Sequence, residues 1–108
     1  MPRWLPRALT RIRGLAAGGH VVLTDKALSE LDALRIRPED VVEILQSLSS
    51  GDYPARLWSE RFEEWLYVFR PAVAGLRVYL KVAIRVDCVV ISCHEDEAEA
   101  AEGPDRDE

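Results

Sequence analysis

One stretch of the chain alternates strictly between apolar side chains and side chains of another kind. From residue 76 to 85 the even positions are Leu, Val, Leu, Val and Ile, and the odd positions are Arg77, Tyr79, Lys81, Ala83 and Arg85. Successive side chains of a β-strand point to opposite faces, so the pattern predicts a strand with one core face and one cationic face. Taken alone, this strand also fits the ordinary solvent-facing side of a sheet.

Three segments before residue 51 follow the period of a helix instead. The first is apolar at helical spacing from Leu5 to Ala16. The second follows Thr24, a residue suited to an N-cap, and the third begins at Pro38, since proline is favoured in a first turn. Residues 21–23 could form a short strand between the first two helices.

After Gly51 the period changes to that of strands, which we expect near residues 56–59, 64–70, 76–85 and 87–95. Hairpin loops are expected at 71–75 and 86–87. Helices followed by strands predict an α+β fold in which N-terminal helices pack on a small antiparallel β-sheet. A chain of 108 residues has the length of one domain, and we place that domain at residues 1–96.

The negative net charge of the chain comes from its C-terminal end. Eight of the 19 acidic residues lie in the last fourteen positions, and residues 1–94 alone carry a net charge of +2. We expect residues 97–108 to be a disordered acidic tail. The basic residues are mostly arginine, which binds phosphate in a bidentate manner and stacks on bases, so nucleic acid is a candidate partner.

The first helix is basic on its polar face, where Arg3, Arg7 and Arg11 follow i, i+4 spacing. An organellar presequence can have this character, as can a solvated or RNA-facing surface. No apolar run has the roughly 20 residues needed to span a bilayer, so we expect a cytoplasmic protein without a membrane partner. Cys88 and Cys93 would lie about 16 Å apart on one strand, too far for a disulfide.

The hairpin between the last two predicted strands brings polar groups together. A turn centred between Val86 and Asp87 pairs the apolar positions of the two strands, namely Leu80 with Cys93, Val82 with Ile91 and Ile84 with Val89. On the opposite face the same register pairs Tyr79 with His94 and Lys81 with Ser92. Tyrosine, histidine and cations are the groups that metal-free RNA cleavage needs: a base, an acid and positive charge near the phosphate.

The preceding hairpin has two possible registers. A loop centred on Val73 places Trp65, Tyr67 and Phe69 beside the cations, where aromatic rings would suit base stacking. A shift by one residue turns the same three rings into the core. Both registers remain open at this point.

Other chemistries have little support. His94, Glu95 and Asp96 are consecutive, and consecutive residues of a strand point to opposite faces, so we expect no metal site. Cys93 is expected in the core and not as a nucleophile. No glycine-rich phosphate loop is present, and we expect no cofactor.

Three motifs resemble the MqsR toxin family: WLYVFRP at 65–71, VYLK at 78–81 and VISCHE at 90–95. The basic first helix and the segments at 18–21 and 48–53 are similar too, so the resemblance covers about residues 5 to 96. It implies a RelE-like ribonuclease toxin fold, cleavage of single-stranded mRNA and neutralisation by a cognate antitoxin. The expected function is therefore that of an endoribonuclease toxin in a type II toxin–antitoxin system.

The resemblance also assigns site residues. Tyr79 matches the family's active-site tyrosine, and His94 stands where the family has a catalytic lysine. Leu66 occupies a glutamine position, and a lysine expected near Pro54 is absent, with Arg56 its closest substitute. The expected site has three catalytic and four substrate-binding residues, which are Tyr79, His94 and Arg56, and Arg70, Arg77, Lys81 and Tyr67.

Two of the four matching positions thus lack a polar group. The alternative is therefore a catalytically weak relative of the family that binds RNA or a partner protein.

Overall fold

The structure, a computed structural model, describes residues 1–97. Its elements are α1 (Leu5–Ala17), β1 (Val21–Leu23), α2 (Asp25–Leu34), α3 (Pro38–Ser47), β2 (Ala55–Ser59), β3 (Glu64–Phe69), β4 (Ala72–Val73), β5 (Leu76–Ile84) and β6 (Cys88–Glu95). The predicted α+β order of helices followed by strands is confirmed. The expectation of a disordered tail falls, apart from Glu97, on residues outside the described ones.

The strands form one sheet in the order β1-β6-β5-β3-β2, with β4 paired to β5 beside it. All pairings are antiparallel except that of β1 with β6. The sheet is therefore mixed, whereas the sequence predicted a purely antiparallel one. Parallel pairing is possible here because α2, α3 and the other strands lie between β1 and β6 in the sequence, and such a pairing needs a long connection.

The helices begin and end where the local sequence favours it. In α1 the residues Leu5, Leu9, Ile12 and Ala16 are buried at helical spacing. The helix ends at Ala17, and two residues later Gly19 has a φ of 80°, which suits glycine. This turn lets the backbone N–H of His20 donate to the carbonyl of Leu15 at 2.8 Å. At the start of α2 the Thr24 hydroxyl accepts a hydrogen bond from the backbone N–H of Ala27.

The core lies between the helices and one face of the sheet, which we call the core face. On β5 this face carries the even-numbered residues Val78, Leu80 and Val82, all of them fully buried together with Phe69 of β3. Burial of such a side chain contributes about 1.5–3 kcal/mol to folding. The odd-numbered residues of β5 lie on the opposite face, as predicted.

The two edges of the sheet differ. Strand β1 pairs with β6 only as far as Val90, and α2 covers the next part of that edge. The backbone N–H of Cys93 donates to Oε1 of Glu30 at 2.8 Å, and the Thr24 hydroxyl donates to the carbonyl of Ile91 at 3.2 Å. Strand β2, at the other edge, pairs on one side only within residues 1–97.

None of the helices in residues 1–97 is both long enough and apolar enough to cross a membrane.

Candidate active site

The predicted pair of Tyr79 and His94 is present on the face opposite the core. The two residues are cross-strand partners, and their rings stack with centroids 5.0 Å apart at an interplanar angle of 12°. Tyr79 is only 7% exposed, whereas His94 is half-buried. The tyrosine is therefore fixed by packing, and the more accessible imidazole can meet a ligand.

The register that produces this pair changes along the hairpin. Tyr79, Leu80 and Lys81 pair with His94, Cys93 and Ser92 as predicted. Nearer the turn the prediction is wrong, because Val82 pairs with Val90 and Ile84 with Cys88. Ile91 has no partner of its own and forms a β-bulge, which the alternating sequence did not reveal.

One ring nitrogen of His94 has a defined partner. Its Nδ1 lies 2.9 Å from the carbonyl oxygen of Glu95. A carbonyl oxygen only accepts hydrogen bonds, so this contact places a proton on Nδ1. In the neutral ring Nε2 is then the basic nitrogen.

Two of the predicted cations lie beside the pair. The guanidinium carbon of Arg70 is 5.2 Å from the centroid of the Tyr79 ring, and its Nε is 3.3 Å from the carboxylate of Asp96. Arg77 donates a 2.8 Å hydrogen bond to the carbonyl of Arg70 and lies over the ring of Tyr53. The structure thus brings both arginines next to Tyr79, Arg77 on its own strand as the alternation predicted and Arg70 through the register of β3 that the sequence left open.

Asp96 is a neighbour of this site that the sequence analysis missed, since it considered this residue only as a metal ligand and placed it at the end of the domain. Its side chain is only 5% exposed, and its backbone N–H bonds to the carbonyl of Arg77 at 2.8 Å. Strand β6 ends at Glu95 as predicted, and one further backbone hydrogen bond holds the residue after it against β5. The strongly acidic composition of the residues that follow concealed this role.

A lysine from α2 reaches the same face. Lys81, half-buried, pairs across the strands with Ser92, whose buried hydroxyl accepts a 2.8 Å hydrogen bond from Nζ of Lys26. Lys26 also binds Glu30 at 2.8 Å. Nothing in the sequence pattern linked this helix residue to the strand, because the contact depends on how α2 packs along β6.

Glu30 joins helix and sheet through both of its carboxylate oxygens. Burial raises its pKa, but the hydrogen bonds from Lys26 and from the backbone of Cys93, with the positive charge of Lys26, outweigh this effect. The pKa of Glu30 therefore lies below its ordinary value, which means that the folded chain favours the ionised carboxylate.

Arg56 and Tyr67 are not part of this site. Arg56 pairs with Tyr67, and Tyr67 pairs with the buried Val82, so both belong to the core face. Of the two registers left open by the sequence, the structure has the one that turns the aromatic residues of β3 towards the core. The prediction of a loop centred on Val73 is therefore wrong. The substitute role of Arg56 beside Tyr79 is therefore excluded by its position.

Leu66, in contrast, lies on the face of Tyr79, because it pairs with Ala83 of β5. This is the position at which the resemblance implies a glutamine. The structure thus places an apolar side chain on the face that carries the candidate active site.

Arg56 and Tyr67 line a second surface, which we call the α1–β2 groove. It has a volume of about 710 Å³ and is lined by Arg3, Trp4, Arg7, Ala8, Arg11, Arg56, Tyr67 and Ile84. The guanidinium of Arg56 lies 5.3 Å from the ring of Trp4 and 3.9 Å from that of Trp65. Trp4 is the lining residue that the sequence analysis did not single out.

The two cysteines are free and buried. Burial raises the pKa of Cys88 to about 12 and that of Cys93 to about 11, with the charge of Glu30 adding to the effect at Cys93. A thiol that stays protonated at neutral pH is a poor nucleophile, so neither cysteine has the properties of a catalytic residue.

Comparison with protein families assigns the chain. The profile of the family described as motility quorum-sensing regulator, toxin of MqsA, matches residues 6–95. The chain belongs to the MqsR toxin family. The three helices and the sheet agree with that family, and the resemblance expected from the motifs is confirmed.

Membership in the MqsR family supports a role as the toxin of a toxin–antitoxin system and implies an antitoxin partner. A comparison with curated proteins finds no match.

Proposed function

We propose that the chain is an endoribonuclease that cleaves single-stranded mRNA in the cytoplasm without a metal ion. Family membership supports this proposal, and the observation that carries it is the stacked pair of Tyr79 and His94 beside Arg70. An imidazole, a phenol and two or three cations on one face supply an acid, a base and charge for the phosphate.

In the proposed reaction, Nε2 of His94 takes the proton of a ribose 2′-OH. The 2′ oxygen forms a bond to phosphorus while the bond from phosphorus to the 5′ oxygen breaks. The departing 5′ oxygen receives a proton from the Tyr79 hydroxyl, and the products are a 2′,3′-cyclic phosphate and a 5′-OH end. Proton transfer from the imidazolium back to Tyr79 restores the site.

The cations have a different part in this mechanism. Arg70, Arg77 and Lys81 lie on or beside the face of Tyr79, and they would bind the phosphate and offset the charge that develops on it. The ion pair between Arg70 and Asp96 helps to hold the guanidinium beside the Tyr79 ring.

The test is the single-turnover cleavage rate of purified protein on a single-stranded RNA. His94→Ala should lower this rate by about a hundredfold, the usual contribution of an acid–base group. The matched control is His20→Ala, since His20 is the only other histidine and its side chain is 61% exposed. Full activity of His94→Ala, or a requirement for added Mg²⁺, would contradict the proposal.

Substitution by lysine tests the same step through the chemistry of the side chain. A lysine ammonium group keeps its proton at neutral pH and cannot act as the base, so His94→Lys should lose about as much of the cleavage rate as His94→Ala. A His94→Lys protein that cleaves as fast as wild type would remove the role of base from His94.

A second function has one observation in its favour. Leu66 on the face of Tyr79 cannot form the hydrogen bonds of the glutamine expected there. The alternative is a relative that binds RNA or a partner protein and cleaves weakly or not at all. Binding of RNA without any new transcript ends after induced expression would support this alternative over the nuclease.

For the antitoxin we propose strand addition at β2. This edge of the sheet pairs on one side only within the described residues, whereas α2 and β1 cover the edge at β6. An exposed edge strand offers backbone groups to a strand of another protein. Co-purification with the product of a neighbouring gene tests the partnership, and amide exchange protection confined to β2 in the complex tests the position.

A further inference from the structure

The α1–β2 groove has properties that the proposed cleavage mechanism does not use. It lies on the core face, across the sheet from Tyr79, and none of its eight lining residues is acidic. We propose that this groove binds the backbone of single-stranded RNA and that the tryptophans at its end stack with bases. The choice of ligand rests on the proposed function, and the groove would hold RNA that flanks the cleavage site.

The shape of the charge in the groove favours an extended anion. Arg7 and Arg11 are four residues apart on α1, so they lie about 6 Å apart along the helix axis, and Arg3 precedes the helix and lines the same groove. Three guanidiniums spread along one groove match a chain of phosphates better than a single small anion.

The arginines of the groove have no acidic partner among the described residues. Within residues 1–97 no carboxylate forms an ion pair with Arg3, Arg7, Arg11 or Arg56. Arg37, Arg70 and Arg85, in contrast, each have a carboxylate partner. No acidic residue precedes Asp25 in the sequence. The groove therefore concentrates positive charge that no carboxylate of the described part of the chain pairs with.

The aromatic rings favour RNA over an acidic protein segment. All three tryptophans of the chain belong to one connected cluster, since Arg56 lies between Trp4 and Trp65, and Trp65 meets Trp58 at 5.2 Å. Trp58 is 46% exposed and Trp65 39%. Exposed indole rings next to cations bind bases by stacking, and a carboxylate peptide would need only the cations.

The location of the tryptophans provides a direct measurement, because the intrinsic tryptophan fluorescence of the chain comes from this cluster alone. The full chain is titrated with a 2′-O-methylated oligonucleotide of about 12 nucleotides, a length within the site sizes of single-strand binders. The methyl group blocks the attacking 2′ oxygen, so binding is measured without cleavage. We expect quenching that weakens as salt is raised from about 50 to about 200 mM.

The test variant is Arg3→Gln/Arg7→Gln. Both side chains are exposed, one just before α1 and one on it, so folding should be unaffected. Its affinity should fall about tenfold or more at low salt, and the slope of log K against log salt should fall by about 1.4, or 0.7 for each lost phosphate contact. The control Arg35→Asn removes an exposed charge at the end of α2, where asparagine suits the φ of 60°, and should bind like wild type.

Arg56→Lys provides a second variant that keeps the charge and removes the planar group between the indoles. We expect it to retain most of the salt dependence while losing much of the quenching. Wild-type affinity and slope in Arg3→Gln/Arg7→Gln would overturn the assignment. Equally tight binding and equal quenching by a polyglutamate peptide of the same length would also overturn it, in favour of an acidic protein segment.

Cleavage of unmodified RNA, measured in parallel, separates this inference from the proposed function. Salt-dependent binding in the groove without cleavage would refute the nuclease and support the groove. Cleavage by a protein whose affinity does not depend on Arg3 and Arg7 would support the nuclease and refute the groove.

Discussion

Replacement of Glu30 by alanine should destabilise the fold by separating α2 from the edge of β6. Oε1 of Glu30 accepts a hydrogen bond from the backbone N–H of Cys93, and Oε2 accepts one from Nζ of Lys26, both at 2.8 Å. Cys93 is 1% exposed, so its N–H has no access to bulk water in the folded chain. Glu30→Ala would leave this buried donor without its acceptor.

The size of the effect follows from these two bonds. An unsatisfied buried backbone donor costs about 1–3 kcal/mol. The ion pair contributes less than about 1 kcal/mol, because the Lys26 side chain is 61% exposed and water screens it. We therefore expect a loss of about 2 kcal/mol in the free energy of unfolding, which lowers Tm by roughly 10 °C in a domain of this size.

The assay is urea unfolding followed by circular dichroism, with Glu43→Ala on α3 as the control. Glu43 is exposed, and its replacement should change stability by no more than about 0.5 kcal/mol. Glu30→Gln, which keeps one oxygen acceptor, should fall between the two. If Glu30→Ala lost no more stability than Glu43→Ala, the Cys93 N–H would have to be satisfied in another way and the reasoning would fail.

The same residue makes stability depend on pH in a defined direction. The pKa of Glu30 is lower in the folded chain than its ordinary value of 4.5, so the unfolded chain binds more protons in this range. The stabilisation by the carboxylate is fully present above pH 4.5 and is lost as the pH falls through the folded-state pKa. The stability difference between wild type and Glu30→Gln should therefore be constant near neutral pH and shrink in acid.

Two further predictions concern the backbone and the thiols. Gly14→Ala, inside α1 with no atom within 4 Å of the added Cβ, should stabilise the fold by about 0.5–1 kcal/mol. Gly75→Ala, at a φ of 81°, should destabilise it by about 1 kcal/mol. Shifts of the urea midpoint in the same direction for both variants would contradict this. Because burial raises the pKa of Cys88 to about 12 and of Cys93 to about 11, a thiol reagent at pH 8 should label both only in urea, and rapid labelling of the folded chain would show that the strands open.

The sequence was sufficient for the part of the site that lies on β5 and β6. The alternation on β5 identified the core face, and a short turn after Ile84 left little freedom in how β6 pairs with it. Tyr79 and His94 could therefore be paired by counting residues from the turn. The bulge at Ile91 changed only the pairs that lie between the bulge and the turn.

The sequence could not place Arg56 and Tyr67, for a physical reason. Residues 65–69 are all apolar or aromatic, so neither register of β3 exposes a charged group, and alternation does not distinguish the two faces. The connection from β3 to β5 also contains its own small hairpin, because β4 pairs with β5, which moves the turn away from the position that loop length alone suggests.

The contact of Arg70 with Asp96 could not be predicted from the sequence either. It forms between the end of β3 and the residue after β6, which are distant in sequence and share no periodic pattern. Only the path of the chain after Glu95 decides whether this carboxylate reaches the arginine.

The bulge at Ile91 also determines how the site would respond to the loss of a single residue. Before the bulge the even-numbered Val90 faces the core, and after it the odd-numbered Cys93 does. Deletion of Ile91 would restore regular pairing and keep Cys93 on the core face and His94 opposite Tyr79. The candidate active site would thus survive the loss of one codon at the bulge.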